Sequence, residues 1–247
     1  MGEYDYNIAS VEKAFNIIEL MSLNNGGMSV TEIAKALDSS ISSVNRFLLT
    51  LLDIGYVGKD YSSNRYYLTN KFHVLSNKLL TQNKILERYV PLANYISNNY
   101  FAMVNINSYC EGSVLHLYKD SKVFFSKELD FKLGDTVPAY CCSAGKIMLS
   151  EFTEKELLEY FAKTSLIKYQ PNTLSRESEI RKEIELVKTN GYSVHDSEYI
   201  MGLFSISFPL PNIYKQRGCI TVIVPSSEKN RILNSDFIEA AKNKINQ

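Results

Sequence analysis

The sequence predicts a two-domain α+β protein: an N-terminal winged helix-turn-helix head, a helical linker, and a C-terminal antiparallel sheet domain covered by helices. Two observations carry this. Residues 29–57, SVTEIAKALDSSISSVNRFLLTLLDIGYV, read as two short helices joined by a tight turn and followed by the start of a hairpin. Beyond residue 100, strand-like runs give way to helical ones and then to strands again, the order of a mixed domain whose sheet and helix ends enclose a pocket. The divisions fall at residues 1–70 for the head, 71–83 for the linker helix and 84–247 for the second domain.

Ser10 is placed to cap a first helix, VEKAFNIIELMSL, with apolar positions at Val11, Ala14, Phe15, Ile18, Met21 and Leu23. Ser29 and Glu32 then form a capping box, in which the hydroxyl accepts from the Glu32 N–H and the carboxylate accepts from the Ser29 N–H. Met28 and Ile33 stand where a hydrophobic staple puts them. Asp38, Ser39 and Ser40 break the helical periodicity, and Ser40 can cap a second helix. On that helix Val44, Phe47, Leu48 and Leu51 recur at helical spacing, leaving Ser42, Ser43, Asn45 and Arg46 on the outward side of its first turns. Gly55 is placed to close it in the left-handed conformation, and residues 56–59 and 65–68 are short strand-like runs that make a wing.

Such a helix suits the major groove. Short polar side chains let its backbone approach, and Arg46 or Asn45 can hydrogen-bond a base edge or a phosphate. Ser42, Ser43, Asn45 and Arg46 are the predicted groove contacts on double-stranded DNA, with Lys35, Lys59 and Arg65 as phosphate contacts. Net charge runs the other way. Residues 1–70 hold Lys13, Lys35, Arg46, Lys59 and Arg65 against Glu3, Asp5, Glu12, Glu19, Glu32, Asp38, Asp53 and Asp60, so affinity depends on cation placement and on two heads acting together. The same acidity favours, as an alternative, a protein-interaction module whose winged helix has lost DNA binding.

Over all 247 residues Lys plus Arg equals Asp plus Glu at 27 each, so no global field draws the protein to nucleic acid or a membrane. The N-terminus lacks a basic region followed by an apolar core, and no run of about 18 apolar residues exists to span a bilayer, which points to the cytoplasm. Cys110, Cys141, Cys142 and Cys219 show no CxxC spacing and read as reduced thiols.

After the wing, Thr69 and Asn70 can cap a helix carrying Phe72, Val74, Leu75, Leu79 and Leu80. A second helix carries Ile85, Leu86, Tyr89, Leu92, Ala93 and Ile96, with a kink or restart expected at Pro91. Residues 101–107, 113–119 and 122–131 read as strands. GDTVPAYCCSAGKIMLSEF runs from a loop into a helix starting near Cys142 or Ser143. Thr153 and Glu156 repeat the capping box, a charged helix over 175–190 ends at Gly191, strands follow at 203–210 and 219–224, and a last helix covers 234–245.

A helix beginning at Ser143 presents the backbone N–H groups of Ser143, Ala144 and Gly145, an anion site reinforced by the helix dipole, and Gly145 permits close approach. Two other chemistries come from the same stretch. Cys141, Cys142, His116 and His195 include soft thiolates and imidazoles that suit zinc, but no ligand spacing supports a metal site, and no cofactor is expected. Cys142 at a helix N-terminus with a histidine elsewhere is the bare outline of thiol catalysis, without a catalytic motif; the chain does not read as an enzyme.

The runs SVEKAFNIIELM, SVTEIAKAL, SSVNRFLLTLLDIGYV and RYYLT, followed by PAYCCSAGKIMLSEF and GYSVHDSEYIMGL, together resemble the IclR family of one-component transcription regulators over nearly the whole chain. The resemblance implies a GAF-like effector-binding C-terminal domain, assembly as homodimers or homotetramers that read a palindromic operator, and control by a small-molecule effector, often a carboxylate or aromatic metabolite. It also implies pocket residues at Ser143, Ala144, Gly145, His195, Ser205, Thr221 and Ile223. Where the best-known pattern of the family has an acid, a cysteine and two serines, this chain has His195, Ser205, Thr221 and Ile223, which implies a remodelled pocket. His195 is then a donor to a carboxylate, sensitive to pH near neutrality.

Overall fold

In the computed structural model, which describes residues 8–122, 132–211 and 217–246, the chain divides into two units, Met1–Leu80 and Thr81–Gln247. The first unit is built from α1 (Ala9–Ser22), α2 (Val30–Ala36), α3 (Ile41–Asp53) and a wing of two antiparallel strands, β1 (Val57–Asp60) and β2 (Arg65–Leu68). Local chemistry sets most of these limits. The Ser29–Glu32 capping box forms with both of its bonds, and Ser40 accepts from the Ser43 N–H at 3.2 Å to open α3. Between α2 and α3 the chain turns through Asp38 in the left-handed region, and Gly55 closes the turn after α3 at φ +80°. Ser10 does not cap α1: the helix starts at Ala9 after Ile8, which offers no side-chain bond, so Ser10 lies inside the first turn. The core gathers Ile17, Met21, Ile33, Val44, Leu48, Leu51, Val57 and Tyr66. On α1, Val11 and Phe15 stay exposed, as does Leu23 just past its end, since the helix turns its Ile17 and Met21 face inward instead.

α4 (Lys71–Thr81) begins where the Thr69 hydroxyl accepts from the Lys71 N–H at 3.3 Å and donates to Gly55 O at 2.7 Å. It buries none of its residues, and Val74, Leu75 and Leu79 are exposed.

In the second unit α5 (Lys84–Tyr100), capped by Asn83, runs without restarting through Pro91 and buries Ile85, Tyr89, Ala93 and Ile96. Among the described residues six strands follow in one antiparallel sheet of order β5-β4-β3-β8-β7-β6: β3 (Met103–Cys110), β4 (Ser113–Ser121), β5 (Thr136–Pro138), β6 (Ser193–Asp196), β7 (Leu203–Pro209) and β8 (Gly218–Pro225). The strand expected at 122–131 falls, beyond Lys122, on 123–131, outside the described residues. Among the described residues four further α-helices belong to the unit: α6 (Ser143–Ser150), α7 (Glu154–Lys163), α8 (Glu177–Asn190) and α9 (Ser235–Ile245). The Thr153–Glu156 capping box opens α7, and Gly191 closes α8 at φ +70°.

Strand alternation gives this sheet two different faces. Val104, Ile106, Phe204, Ile206, Phe208, Ile220, Val222 and Val224 share a dry core with α5 and α9. The intervening residues, Asn105, Asn107, Ser205, Ser207 and Thr221, point the other way, to the side covered by α6, which buries every residue from Ser143 to Leu149.

Candidate functional site

In the head, α3 presents Ser42 and Arg46 to solvent, with Ser43 and Asn45 half-buried beside them. Lys35 is exposed on α2. Lys59 lies over the Tyr66 ring at 5.0 Å and is also within 5.6 Å of Tyr61. Arg65 is held differently from the other cations. Its guanidinium donates to Gly27 O at 2.8 Å and pairs with Glu32 at 3.0 Å, tying the wing to the capping box that starts α2. Hydrogen bonds from Ser29, then the Arg65 charge, hold the Glu32 carboxyl below its ordinary range.

In the second unit a cavity of about 50 Å³ lies between the polar sheet face and α6. Ser143, Ala144, His195, Ser205, Thr221 and Ile223 all line it. Cross-strand register brings the strand residues together, pairing His195 with Ser205, Ser205 with Ile223, and Thr221 with both Ser207 and Asn105. Gly145 does not line the cavity. A Cβ there would sit 2.0 Å from Ala139 O, so this glycine lets α6 pack on the preceding backbone turn. Its N–H donates to Cys142 Sγ, the cap of α6, at 3.4 Å.

The hydroxyls beneath the cavity form a chain whose proton order can be derived as far as Ser143. Asn107 Nδ2 donates to Thr221 Oγ1 at 2.8 Å, and Ser207 donates to Ser143 Oγ at 2.8 Å. With its own proton committed, Ser207 accepts from Thr221 at 2.8 Å, and the Ser143 and Ser205 hydroxyls share a bond at 2.7 Å in which either is able to donate. His195 adds a donor. Its Nε2 accepts from the backbone N–H groups of Glu198 and Tyr199 at 3.1 and 2.9 Å, so the proton sits on Nδ1, which is buried without a protein partner. Burial, aided by the Lys146 charge, lowers His195 to about 4, so it is neutral at pH 7 and does not titrate near neutrality as the sequence suggested.

Several residues of this site escaped the sequence reading. Asn105 and Asn107 alternate with Val104 and Ile106 along β3, a polar period of two inside a buried strand, and that was the available signal. His116 Nδ1 donates to Asn107 Oδ1 at 2.6 Å. Lys146, read only as a helix residue, is 1% exposed on α6, where its ammonium donates to Glu198 at 2.6 Å, Glu183 at 3.3 Å and Val194 O at 3.1 Å. This pair links α6 to the loop that supplies the backbone donors to His195.

Among the described residues no three His, Cys, Asp or Glu side chains gather as metal ligands. Cys141 donates to Pro138 O at 3.2 Å, and desolvation pushes the Cys142 thiol up to about 12, away from the thiolate a nucleophile needs. No described helix is long and apolar enough to cross a membrane.

Comparison with known proteins covers both units. Residues 10–60 match the family model described as IclR helix-turn-helix domain, and residues 78–245 match that of the bacterial transcriptional regulator IclR C-terminal region. The chain is 24% identical over 237 residues to the Pca regulon regulatory protein of Pseudomonas putida, covering 96% of this chain and 79% of that one. It is similar in fold to an IclR transcriptional regulator from Alicyclobacillus acidocaldarius, with TM-score 0.75, 20% identity and coverage of 98% and 96% of the two chains. It is also similar to an IclR homologue from Microbacterium hydrocarbonoxydans solved in complex with 4-hydroxybenzoate, with TM-score 0.73, 14% identity and coverage of 96% and 97%.

Proposed function

The chain belongs to the IclR family of transcriptional regulators, with a DNA-binding helix-turn-helix head and an effector-binding C-terminal domain, and from that premise we propose that its effector is a small carboxylate held in the cavity beside α6. The donors on the cavity wall carry this reading. His195 Nδ1 and the start of α6 offer hydrogen to one cavity beside the Ser205 hydroxyl, no charged side chain among the described residues lines it, and Ile223, Leu203 and Val137 supply an apolar wall for an aromatic or aliphatic body. The Microbacterium homologue, crystallised with an aromatic carboxylate, supports the same class.

In the head, Ser42, Ser43, Asn45 and Arg46 read the major groove, while Lys35 and Lys59 contact phosphates. Arg65 is a positioning residue that fixes the wing through Glu32, a role its internal bonds support. Exposed apolar side chains on α1 (Val11, Phe15) and α4 (Val74, Leu75, Leu79) support self-association, and a homodimer or homotetramer would present paired heads to a palindromic operator in the cytoplasm. Pairing also offsets the acidic charge of a single head.

A gel-shift titration on the DNA upstream of the gene, at two salt concentrations, tests this. Wild-type protein gives a specific shift that weakens steeply with salt, and Arg46→Ala loses about 1–3 kcal/mol of specific binding. Lys59→Ala weakens all sequences alike. A folded protein that shifts no DNA would instead favour the interaction-module reading, and normal operator binding by Arg46→Ala would remove α3 from the reading role.

A further inference from the structure

Two asparagines stand two residues apart on the same face of β3, and the protein treats them differently. Asn107 has both ends of its carboxamide engaged, Oδ1 by His116 and Nδ2 by Thr221. Asn105 is 1% exposed, lines the same cavity, and has no protein partner at either Oδ1 or Nδ2. A buried amide left in this way is unfavourable unless something in the cavity bonds it. His195 Nδ1, also without a protein partner on the cavity wall, is carried on a distant strand: β3 and β6 are separated by β8 and β7, so roughly 14 Å of sheet lies between the strands that carry the two groups.

We infer that Asn105 is a specificity-determining residue that reads an uncharged donor-acceptor edge, a carboxamide or lactam, at the far end of the effector from its carboxylate. A side-chain amide pairs bidentately with such an edge, its N–H donating to the ligand carbonyl and its carbonyl accepting the ligand N–H. A lone hydroxyl cannot span both atoms with comparable alignment. The effector is therefore bipolar, with an anionic end toward His195, Ser205 and α6, an apolar middle, and an amide-like end on Asn105. This inference rests on the carboxylate reading of the cavity, because it takes the anionic end as the anchor.

Calorimetric titration of the full chain with benzoate, 4-isopropylbenzoate and 4-carbamoylbenzoate tests it, the last two being matched in shape. Wild-type protein should bind the carbamoyl compound at least tenfold more tightly than the isopropyl one. Asn105→Leu should abolish or invert that preference and change benzoate affinity less than threefold. Denaturation gives a readout without ligand: Asn105→Leu should leave the protein as stable or more so, whereas Asn107→Leu should destabilise it. Equal binding of the two para-substituted compounds by wild type, or the same preference in Asn105→Leu, overturns the role of Asn105 while leaving the carboxylate anchor standing. Failure of all three acids to bind removes the anchor and the inference together.

Discussion

On one face of the six-stranded sheet Val104, Ile106, Ile206, Phe208, Val222 and Val224 meet α5 and α9; on the other, Asn105, Asn107, Ser205, Ser207 and Thr221 meet one another, α6 and a cavity. The strands are the same and burial is similar, so burial does not distinguish structural from functional residues here. What differs is how each side is satisfied. The dry face needs only shape and area. The polar face must find partners for its donors and acceptors, and it does so in part through a hydroxyl chain, while Asn105 and His195 Nδ1 are left for the cavity. A sheet needing only stability has no reason to build the second face.

The largest expected effect lies where the polar side buries full charge. Lys146→Met leaves Glu198 without its ammonium partner in a place where burial already raises its pKa, and should destabilise the domain by about 3–5 kcal/mol in urea denaturation. Replacing Glu198 by Gln in the same chain should recover much of the loss. If Lys146→Met alone unfolds like wild type, the pair does not hold α6 to the loop. On the dry face, Ile206→Ala should cost about 2–5 kcal/mol with no change in response to a carboxylate. Altered ligand response there would erase the contrast between the faces.

Acidification acts on the polar face through its two buried histidines. Burial is the main cause that holds His116 and His195 near 4 in the folded protein, against 6.5 in the unfolded chain. Between those values the unfolded state binds more protons, so stability is full above about pH 6.5 and falls as pH drops toward 4. Each histidine contributes at most about 1.4 kcal/mol per pH unit. His195→Gln should flatten that slope, and an unchanged slope would contradict the buried neutral imidazole. The smallest effect is that of Ser207→Ala, about 1 kcal/mol, from interrupting the chain between Thr221 and Ser143.

Much of the fold was legible in the sequence because its signals are local. The Ser29–Glu32 and Thr153–Glu156 boxes, the Ser40 cap and the glycines at 55 and 191 each act within a few residues. β5 and β6 escaped because strands of three and four residues carry too little pattern and take their shape from distant partners. The cap at Ser10 failed for a related reason: α1 is positioned by Ile17 and Met21 in the head core, and its start follows from that packing. In the cavity, Ser143, Ala144, His195, Ser205, Thr221 and Ile223 came from a family resemblance combined with one helix start. Asn105, His116 and the Lys146–Glu198 pair did not, because their importance depends on which polar atoms the fold pairs and which it leaves, and no residue spacing encodes that.

The most direct test is calorimetric binding of benzoate to wild-type protein and to Ser205→Leu, with unfolding of both followed by circular dichroism. Ser205 lines the cavity on the polar face, so leucine fills the space and removes the last hydroxyl of the chain. The account predicts measurable benzoate binding by wild type, none by Ser205→Leu, and cooperative unfolding of both. Equal binding by a folded Ser205→Leu protein, or no binding by wild type, would contradict the claim that this face senses the effector.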